Sequence, residues 1–302
     1  MPTTTVKDSV QHSSILTGLD SFEFVYRAKI PLIEKSALLW IPVATSDAFQ
    51  EVALIDIESP LSGQTITDRD FGNRLLYFKL DKKHTGSEIV LRYQVKRREK
   101  SPYVSSEIEL ANYLRPERLT PFHLEFKRLA EKEIDSKMGQ QAKARALYEH
   151  VLRRMRYDKS GIGWGRGDAL YACDVKTGNC TDFHAYFIAL SRSVGIPARF
   201  SIGATIPTGK DEGPVGGYHC WAEFYADGKW FPIDISEAWK TPSLANYYFG
   251  NQPANRIEFT RGRDLIVTPS PSSGPINFLI YPILEVQGRE QVLIPSLWFK
   301  RI

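Results

Sequence analysis

From Phe22 the chain alternates apolar and polar residues in short runs. "FEFVYRAKI", "ALLWIPVAT", "EVALIDIES", "RLLYFKL" and "SEIVLRYQVKR" are each rich in aliphatic and aromatic side chains. A period of two puts every second residue on one face of a strand, so each run predicts a β-strand with a buried side. Turn-forming residues separate the runs at Ser59-Pro60, Asp70-Phe71-Gly72 and Lys83-His84-Thr85-Gly86. Short strands broken in this way predict an antiparallel, β-sandwich-like module whose last strand ends near Val104. Residues 1–20 ahead of it are polar and aperiodic, and are expected to be disordered or weakly ordered.

The period then lengthens. "PFHLEFKRLAEKEI" sets Leu124, Leu129 and Ile134 among charges, and "GQQAKARALYEHVLRRM" repeats Ala144, Leu147, Tyr148, Val151, Leu152 and Met155 at three-to-four spacing. Both predict helices, in residues that favour helix intrinsically. "DKSGIGWGRGDALYACDVKTGN" is glycine-rich and without period, and predicts a loop. Long loops inside compact domains are usually functional. Phe183, Tyr186, Phe187, Leu190 and Val194 then predict a helix beginning at Cys180 and stopped by Gly195 and Pro197. "ARFSIGATI" reads as a buried strand. "YHCWAEFYADGKWFPIDIS" reads as a hairpin turning at Asp227-Gly228. That turn pairs Ala226 with Lys229 and, further out, sets His219 opposite Ser236 or Glu237. "RIEFT", "DLIVT" and "NFLIYPILEVQ" return to strand-like patterns between prolines.

Composition narrows the class. The chain has 302 residues, 42% hydrophobic and 25% charged, ordinary for a globular protein of about two domains with a core that needs no disulfides. The net charge of +4 is dispersed. The dense basic run "RYQVKRREK" follows a strand and reads as a solvated strand end, so no nucleic-acid partner is expected. No stretch approaches the roughly 18 uninterrupted apolar residues of a membrane helix, so no membrane span is expected. The polar start "MPTTTVKDSVQHSS" has no apolar leader core. The compartment stays open: cytoplasmic as the sequence stands, exported if a leader has been removed.

Three cysteines, Cys173, Cys180 and Cys220, leave at least one free thiol, and a Cys173–Cys220 bridge stays open. Cys180 follows Gly178-Asn179 at a predicted helix start. There, unsatisfied N–H groups and the positive end of the helix dipole favour thiolate over thiol and can hold an oxyanion. A small buried core cysteine is the competing reading. Hairpin parity puts His219 and Trp221 on the same face as Trp230, Pro232 and Asp234. A carboxylate beside an imidazole sets its tautomer, and a Cys–His pair oriented by a third group is an activated nucleophile. Against this, Asp234 can simply cap a turn and His219 can be a core histidine. His184, one turn after Cys180, is a rival base or a packing residue. Cys220 alternates away from His219 and reads as core, as does Trp230. Cys173, Cys180, His184, His219 and Cys220 show no C-x-x-C or H-x-x-x-H spacing, so no metal is expected, nor a nucleotide or organic cofactor.

"GNCTDFHAYFIALSRSVGIPAR", "HCWAEFY" and "GKWFPID" resemble the transglutaminase-like superfamily, papain-related cysteine enzymes that include transglutaminases, peptide N-glycanases and bacterial cysteine proteases. The matching features are G-x-C before a helix, R-x-x-G-I-P-A-R, H-x-W-x-E and W-x-x-x-D, in that order, over about residues 140–240. The resemblance implies an α+β fold. In it a papain/transglutaminase-like core packs the cysteine-bearing helix on an antiparallel sheet, with an N-terminal β-sandwich-like module and a β-rich C-terminal tail. The expected domains are 21–115, 116–254 and 255–302, the last packed on the other two. Cys180 would be the nucleophile, His219 the base and Asp234 the orienting carboxylate. The implied reaction is acyl transfer on amide bonds. Water as acceptor gives peptide or amide hydrolysis, an amine gives crosslinking, and a non-catalytic scaffold is the third reading. Trp164, upstream of the cysteine as in transglutaminases but nearer to it, and Tyr218 and Trp221 beside the histidine are candidates for substrate binding. The expected partner is a protein or peptide substrate, or a cell-wall fragment.

Overall fold

The computed structural model describes residues 18–105 and 109–302; the expectation of weak order over residues 1–20 lies almost wholly outside them. Strands β1 (Leu19–Lys29), β2 (Ser36–Val43), β3 (Gln50–Glu58), β4 (Gln64–Thr67), β5 (Arg74–Asp81) and β6 (Glu88–Arg98) come first. Helices α1 (Leu124–Glu133) and α2 (Gln140–Arg154) follow, then β7 (Arg156–Tyr157), α3 (Ala169–Val175), β8 (Thr177–Gly178) and α4 (Cys180–Ser193). Next are β9 (Ala198–Thr205), β10 (Glu212–Pro214), β11 (His219–Ala226), β12 (Lys229–Ile233) and α5 (Ile235–Lys240). The chain ends with β13 (Arg256–Arg261), β14 (Ile283–Val286), β15 (Arg289–Val292) and β16 (Ser296–Arg301). These elements divide into two compact units.

Unit one takes the described residues up to Glu99, Ile202–His219 and Pro253–Ile302. It contains two five-stranded sheets, ordered β10-β16-β1-β6-β3 and β15-β14-β2-β5-β4. All five N-terminal runs are strands. The short β4 escaped the pattern because only Ile66 of its four residues is buried. Alternation works as expected in β1, where Phe22, Phe24, Tyr26 and Ala28 are all fully buried. The C-terminal strands are interleaved with these sheets. β16 pairs with β1, setting Phe299 opposite Phe24, and β14 pairs with β2, setting Leu284 opposite Leu39. Phe24, Tyr26 and Tyr93 close on Phe259 at 5.7, 5.7 and 5.9 Å between ring centroids. A second cluster joins Trp40, Leu75 and Tyr77 to Leu265 and Leu279. Each such side chain contributes about 1.5–3 kcal/mol on burial. The basic run is only partly solvated: Arg97 is buried and donates to Gln50 at 3.1 Å, while Lys100, the first residue of unit two, is buried beside Glu223.

Unit two spans Lys100–Ser201 and Cys220–Gln252. α2 buries Ala144, Leu147, Tyr148 and Val151 as its spacing predicts. α1 does not use Leu124, which is 84% exposed; it buries Phe126 and Ala130, and Phe126 packs on Tyr186. α3 lies inside the stretch read as loop. Seven residues with only Ala169 and Ala172 buried carry no visible period, and Asp168 starts the helix by accepting from the amides of Leu170 and Tyr171. α4 is buried from Cys180 through Arg192, including Thr181, Asp182, His184 and Ser191. At its end Arg192 donates to the carbonyl of Ala198 at 3.0 Å and to Glu117 at 2.9 Å, fastening the helix to the start of β9. β11 and β12 form the expected hairpin, with Ala226 opposite Lys229. Asp227 (φ +49) and Gly228 (φ +80) both take the positive φ that a two-residue turn of this kind requires. The ladder stops at Ile233, so the expected pairing of His219 with Ser236 or Glu237 does not form: both residues lie in α5.

Candidate active site

Asn179, in extended conformation, ends the loop and caps α4, its side chain accepting from the amide of Thr181 at 2.9 Å. Cys180 is therefore the first helical residue, where the backbone N–H has no partner within the helix. Three residues into the helix the cap is returned by Asp182. Its carboxylate accepts from the amides of Asn179 at 3.0 Å, Gly165 at 2.7 Å and Gly167 at 3.0 Å. Burial pushes the Asp182 carboxyl up, and those three N–H donors oppose the push. Gly178 is required by close approach: a Cβ there would lie 2.3 Å from Asp182 Oδ2. The same carboxylate holds the glycine-rich loop. Trp164 sits half-buried in that loop, next to the anchored Gly165 and after Gly163, whose Cβ would meet the Tyr171 ring at 2.9 Å.

His184 lies beneath Cys180, fully buried. Its Nδ1 is 2.7 Å from the carbonyl of Cys180, and its Nε2 is 3.1 Å from the amide nitrogen of Ile235. A carbonyl only accepts and an amide only donates, so these partners assign a neutral ring with the proton on Nδ1. Both nitrogens serve the backbone. These contacts agree with the packing reading of His184. Among the described residues no group of three or more His, Cys, Asp or Glu is arranged to hold a metal.

Asp234 is fully buried at the end of β12. Its Oδ1 accepts from Ser236 Oγ and the Glu237 amide, both at 3.0 Å, and lies 3.7 Å from His184 Nε2. It does cap a turn, that of α5, and it does so from inside the same buried group. Cys220 Sγ lies 3.8 Å from His184 Nδ1. Burial pushes the Cys220 thiol well up, and the neighbouring Cys180 adds to this. Tyr157 flanks the group, packed against Phe183 and Trp239 with Lys240 Nζ 4.2 Å from its ring centre. Burial, then the nearby thiols, pushes its phenol up.

Cys180 and Asp234 thus share one buried neighbourhood with Cys220 and His184. His219 opens β11 directly before Cys220 and belongs to unit one; it is buried, as is Cys180 at 2% exposure. Tyr218 is half-buried in unit one among Tyr281 and Phe278. Trp221 is fully enclosed, so it has no surface to offer a substrate, contrary to the sequence expectation. Trp230 packs under Arg199, 3.9 Å from its ring centre. All three cysteines are free, so no Cys173–Cys220 bridge forms. Sequence reasoning missed Asp182 as the group that ties the loop to the helix start. The "NCTD" spacing, a cap residue with an acid three positions later, was the available signal for Asp182.

Residues 127–235 match the family model described as the transglutaminase-like superfamily, a stretch that contains Cys180, His219 and Asp234. A Haemophilus influenzae relative named "Uncharacterized protein" is 28% identical over 300 residues, covering 83% of this chain and 80% of its own. The solved structure of a "Putative Cysteine Protease" from Cytophaga hutchinsonii superposes with a TM-score of 0.61 at 15% identity, covering 94% of this chain and 98% of that one. The periplasmic domain of TgpA from Pseudomonas aeruginosa gives a TM-score of 0.39 at 15% identity over 75% of this chain and 90% of that one. The matched stretch and the mixed, largely antiparallel architecture agree with the sequence motifs: residues 127–235 of this chain match the transglutaminase-like superfamily, and α4 and the β11–β12 hairpin lie within them.

Proposed function

We propose that this protein is a thiol-dependent acyl-transfer enzyme acting on amide bonds, with Cys180, His219 and Asp234 as its triad and water as the usual acceptor. The observation that carries the proposal is the place of Cys180 as the first residue of α4, capped by Asn179, with Asp234 in the same buried group through His184, whose Nδ1 is 2.7 Å from the Cys180 carbonyl and whose Nε2 is 3.7 Å from Asp234 Oδ1.

The Cys180 thiolate attacks the amide carbonyl, and its own backbone N–H, at the head of the helix, holds the oxyanion. His219, oriented by Asp234, gives its proton to the departing amine. Asp234 Oδ1 serves the cap of α5, so Oδ2 is the oxygen assigned to the imidazole. Water then attacks the thioester, His219 takes its proton, and the acid leaves. With Cys180 only 2% exposed, the substrate has to present its carbonyl in a narrow, extended approach. Trp164 and Tyr218 are the residues we assign to line it. A protein or peptide, or a peptide fragment of a cell wall, is the substrate class.

The test is mass spectrometry of a peptide library incubated with the protein and with Cys180→Ala, with and without a primary amine. Cleaved or deamidated products from the unaltered protein alone support hydrolysis. Amine adducts in their place reassign the acceptor. Equal product from both proteins rejects catalysis at Cys180.

A further inference from the structure

We propose that Lys159 and Lys240, both held against the ring of Tyr157, form a subsite for a carboxylate of the substrate, so that a peptide with an acidic side chain near the reacting amide is preferred. The proposal rests on the acyl-transfer reading only for the place of the reacting amide; the binding of the acid rests on this group of side chains by itself. Tyr157 pairs with Gly178 in the short parallel ladder of β7 and β8, and the next residue, Asp158, donates its amide to the Gly178 carbonyl at 3.0 Å. That fixes Tyr157 beside the residue that leads into the cap of α4. Its ring centre lies 6.1 Å from that of Phe183, one turn into α4, and 6.4 Å from that of Trp239 in α5. The ring is therefore lodged between the helix headed by Cys180 and the helix capped by Asp234.

Two ammonium groups converge on this ring. Lys240 Nζ lies 4.2 Å from its centre; Lys159 Nζ lies 5.8 Å from it and 6.0 Å from the centre of Trp164. A cation over an aromatic face is attracted by the ring's quadrupole. The rings thus hold both lysine heads near one place in advance, which reduces the freedom lost on binding an anion. The local charge is not balanced. Residues 156–166 carry Arg156, Lys159 and Arg166 against Asp158 alone, and Asp158 is engaged by the amide of Ser160 at 2.8 Å. Lys240 is paired with Glu237 at 2.7 Å, while among the described residues Lys159 meets only the two rings. Two cations therefore share one carboxylate, and a second, from the substrate, completes the set. Lys159 is exposed, and Tyr157, Trp164 and Trp239 are half-buried. An incoming carboxylate meets the ammonium groups, and the carbon chain that bears it lies on the ring surfaces. That combination fits Glu or Asp on an extended peptide better than a small inorganic anion, which would leave the rings uncovered. A neutral amide in the same place gains no ion pair, and a lysine is repelled.

Pools of hexapeptides carrying an uncharged dye, with one central residue fixed as Glu, Gln or Lys and the others varied, are titrated with the full-length Cys180→Ala protein at low salt and followed by fluorescence anisotropy. The Glu pool is expected to bind about fivefold or more tighter than the Gln pool, with the Lys pool weakest. The preference should fade in about 1 M salt, where exposed charges are screened. Lys159→Gln combined with Lys240→Gln should bring the Glu and Gln pools to within about twofold of each other. Lys159→Arg combined with Lys240→Arg should keep the preference, and Lys127→Gln combined with Lys132→Gln, an equal loss of charge on α1, should leave it unchanged. Equal binding of the Glu and Gln pools, no binding of the Glu pool up to about 1 mM, or the same loss of preference from the α1 pair overturns the proposal. The comparison of pools on Cys180→Ala decides this even where a lysine variant does not fold. A preference for the acid in a protein without catalysis refutes the acyl-transfer reading alone; catalysis without the preference refutes this one alone.

Discussion

Asp182 Oδ2 accepts the amide of Gly165 at 2.7 Å and, on the same oxygen, the amide of Asn179 at 3.0 Å. One carboxylate therefore fastens the loop that bears Trp164 to the helix turn that bears Cys180. Hydrogen bonds to a charged group contribute about 1.5–3 kcal/mol each. Asp182→Ala is expected to lower stability by about 3 kcal/mol or more and to free the amides of Gly165 and Gly167. Hydrogen exchange reads the second effect directly. If those amides keep their protection in the variant, the loop is held by other groups.

Gly178 stands against the same carboxylate, 2.3 Å from Asp182 Oδ2 and 2.6 Å from its Cβ at the position a new Cβ would take. Gly178→Ala should push Asp182 off the loop amides. The two changes should then be strongly non-additive, with a coupling of about 1–3 kcal/mol in denaturation midpoints. Simple addition of the two losses would mean that the glycine is needed for its backbone conformation and not for Asp182.

The two histidines of the region are separable by experiment. His184 bridges the Cys180 carbonyl and the Ile235 amide, so His184→Phe removes the ring acceptor from the buried Ile235 amide and the ring donor from the Cys180 carbonyl, at about 1–3 kcal/mol for the amide. His219→Gln should cost less stability and slow the alkylation of Cys180 by iodoacetamide at mildly acidic pH by tenfold or more, as about 1.4 kcal/mol or more of lost thiolate stabilisation implies. His184→Gln should keep the shape of that pH–rate profile. A reversed result, with the profile lost on changing His184 and kept on changing His219, would move the base to the helix and end the triad as proposed.

Much of this was readable from residue order. Strong alternation gave the N-terminal strands, and Asp227-Gly228 gave the hairpin with its register, because a two-residue turn with positive φ leaves no freedom in pairing. Cys180 at the head of a helix followed from Asn179 before it and Gly195 after it. What stayed hidden was non-local. Nothing in "SLWFKR" says that it pairs with β1 at the other end of the chain, since register partners are chosen by packing and not by local pattern. Burial overrode polarity at Thr181, Asp182 and His184, each of which pairs with backbone or cap groups that only the fold supplies. Trp221 was misjudged for the same reason: alternation gives the face, while depth depends on what covers it.

Glu223, the acid of the H-x-W-x-E motif, has a structural task. It accepts from Lys100 Nζ at 2.9 Å, Arg199 Nε at 2.7 Å and Tyr103 Oη at 3.0 Å, and neither Glu223 nor Lys100 has any exposed side-chain surface. Removing one member of a buried ion group leaves a desolvated charge. Glu223→Gln is therefore expected to destabilise by about 3–5 kcal/mol, read as a shift in the urea midpoint at constant slope. A change below about 1 kcal/mol would show that other groups carry the two cations.

Alkaline pH offers a test of the whole core. Burial pushes up the thiol of Cys220 and the phenols of Tyr26, Tyr93, Tyr148, Tyr157 and Tyr186. As pH rises past the ordinary thiol and phenol values of 9.0 and 10.0, the unfolded chain releases these protons while the folded chain keeps them. The unfolded state then binds fewer protons, so stability, complete below those values, falls with rising pH. Each group contributes a slope of about 1.4 kcal/mol per pH unit until its folded value is reached. Urea midpoints should hold level from about pH 7 to 8.5 and fall steeply above about pH 9.5. The fall between about pH 9 and 10 should be shallower in Cys220→Ala, with Cys173, whose thiol burial also pushes up, supplying the remainder. Tyr157→Phe should flatten the slope above pH 10 without moving the onset. A midpoint that stays level to pH 11 would mean that water reaches these phenols in the folded protein, and the buried neighbourhood of Cys180 would then be open where it is described as closed.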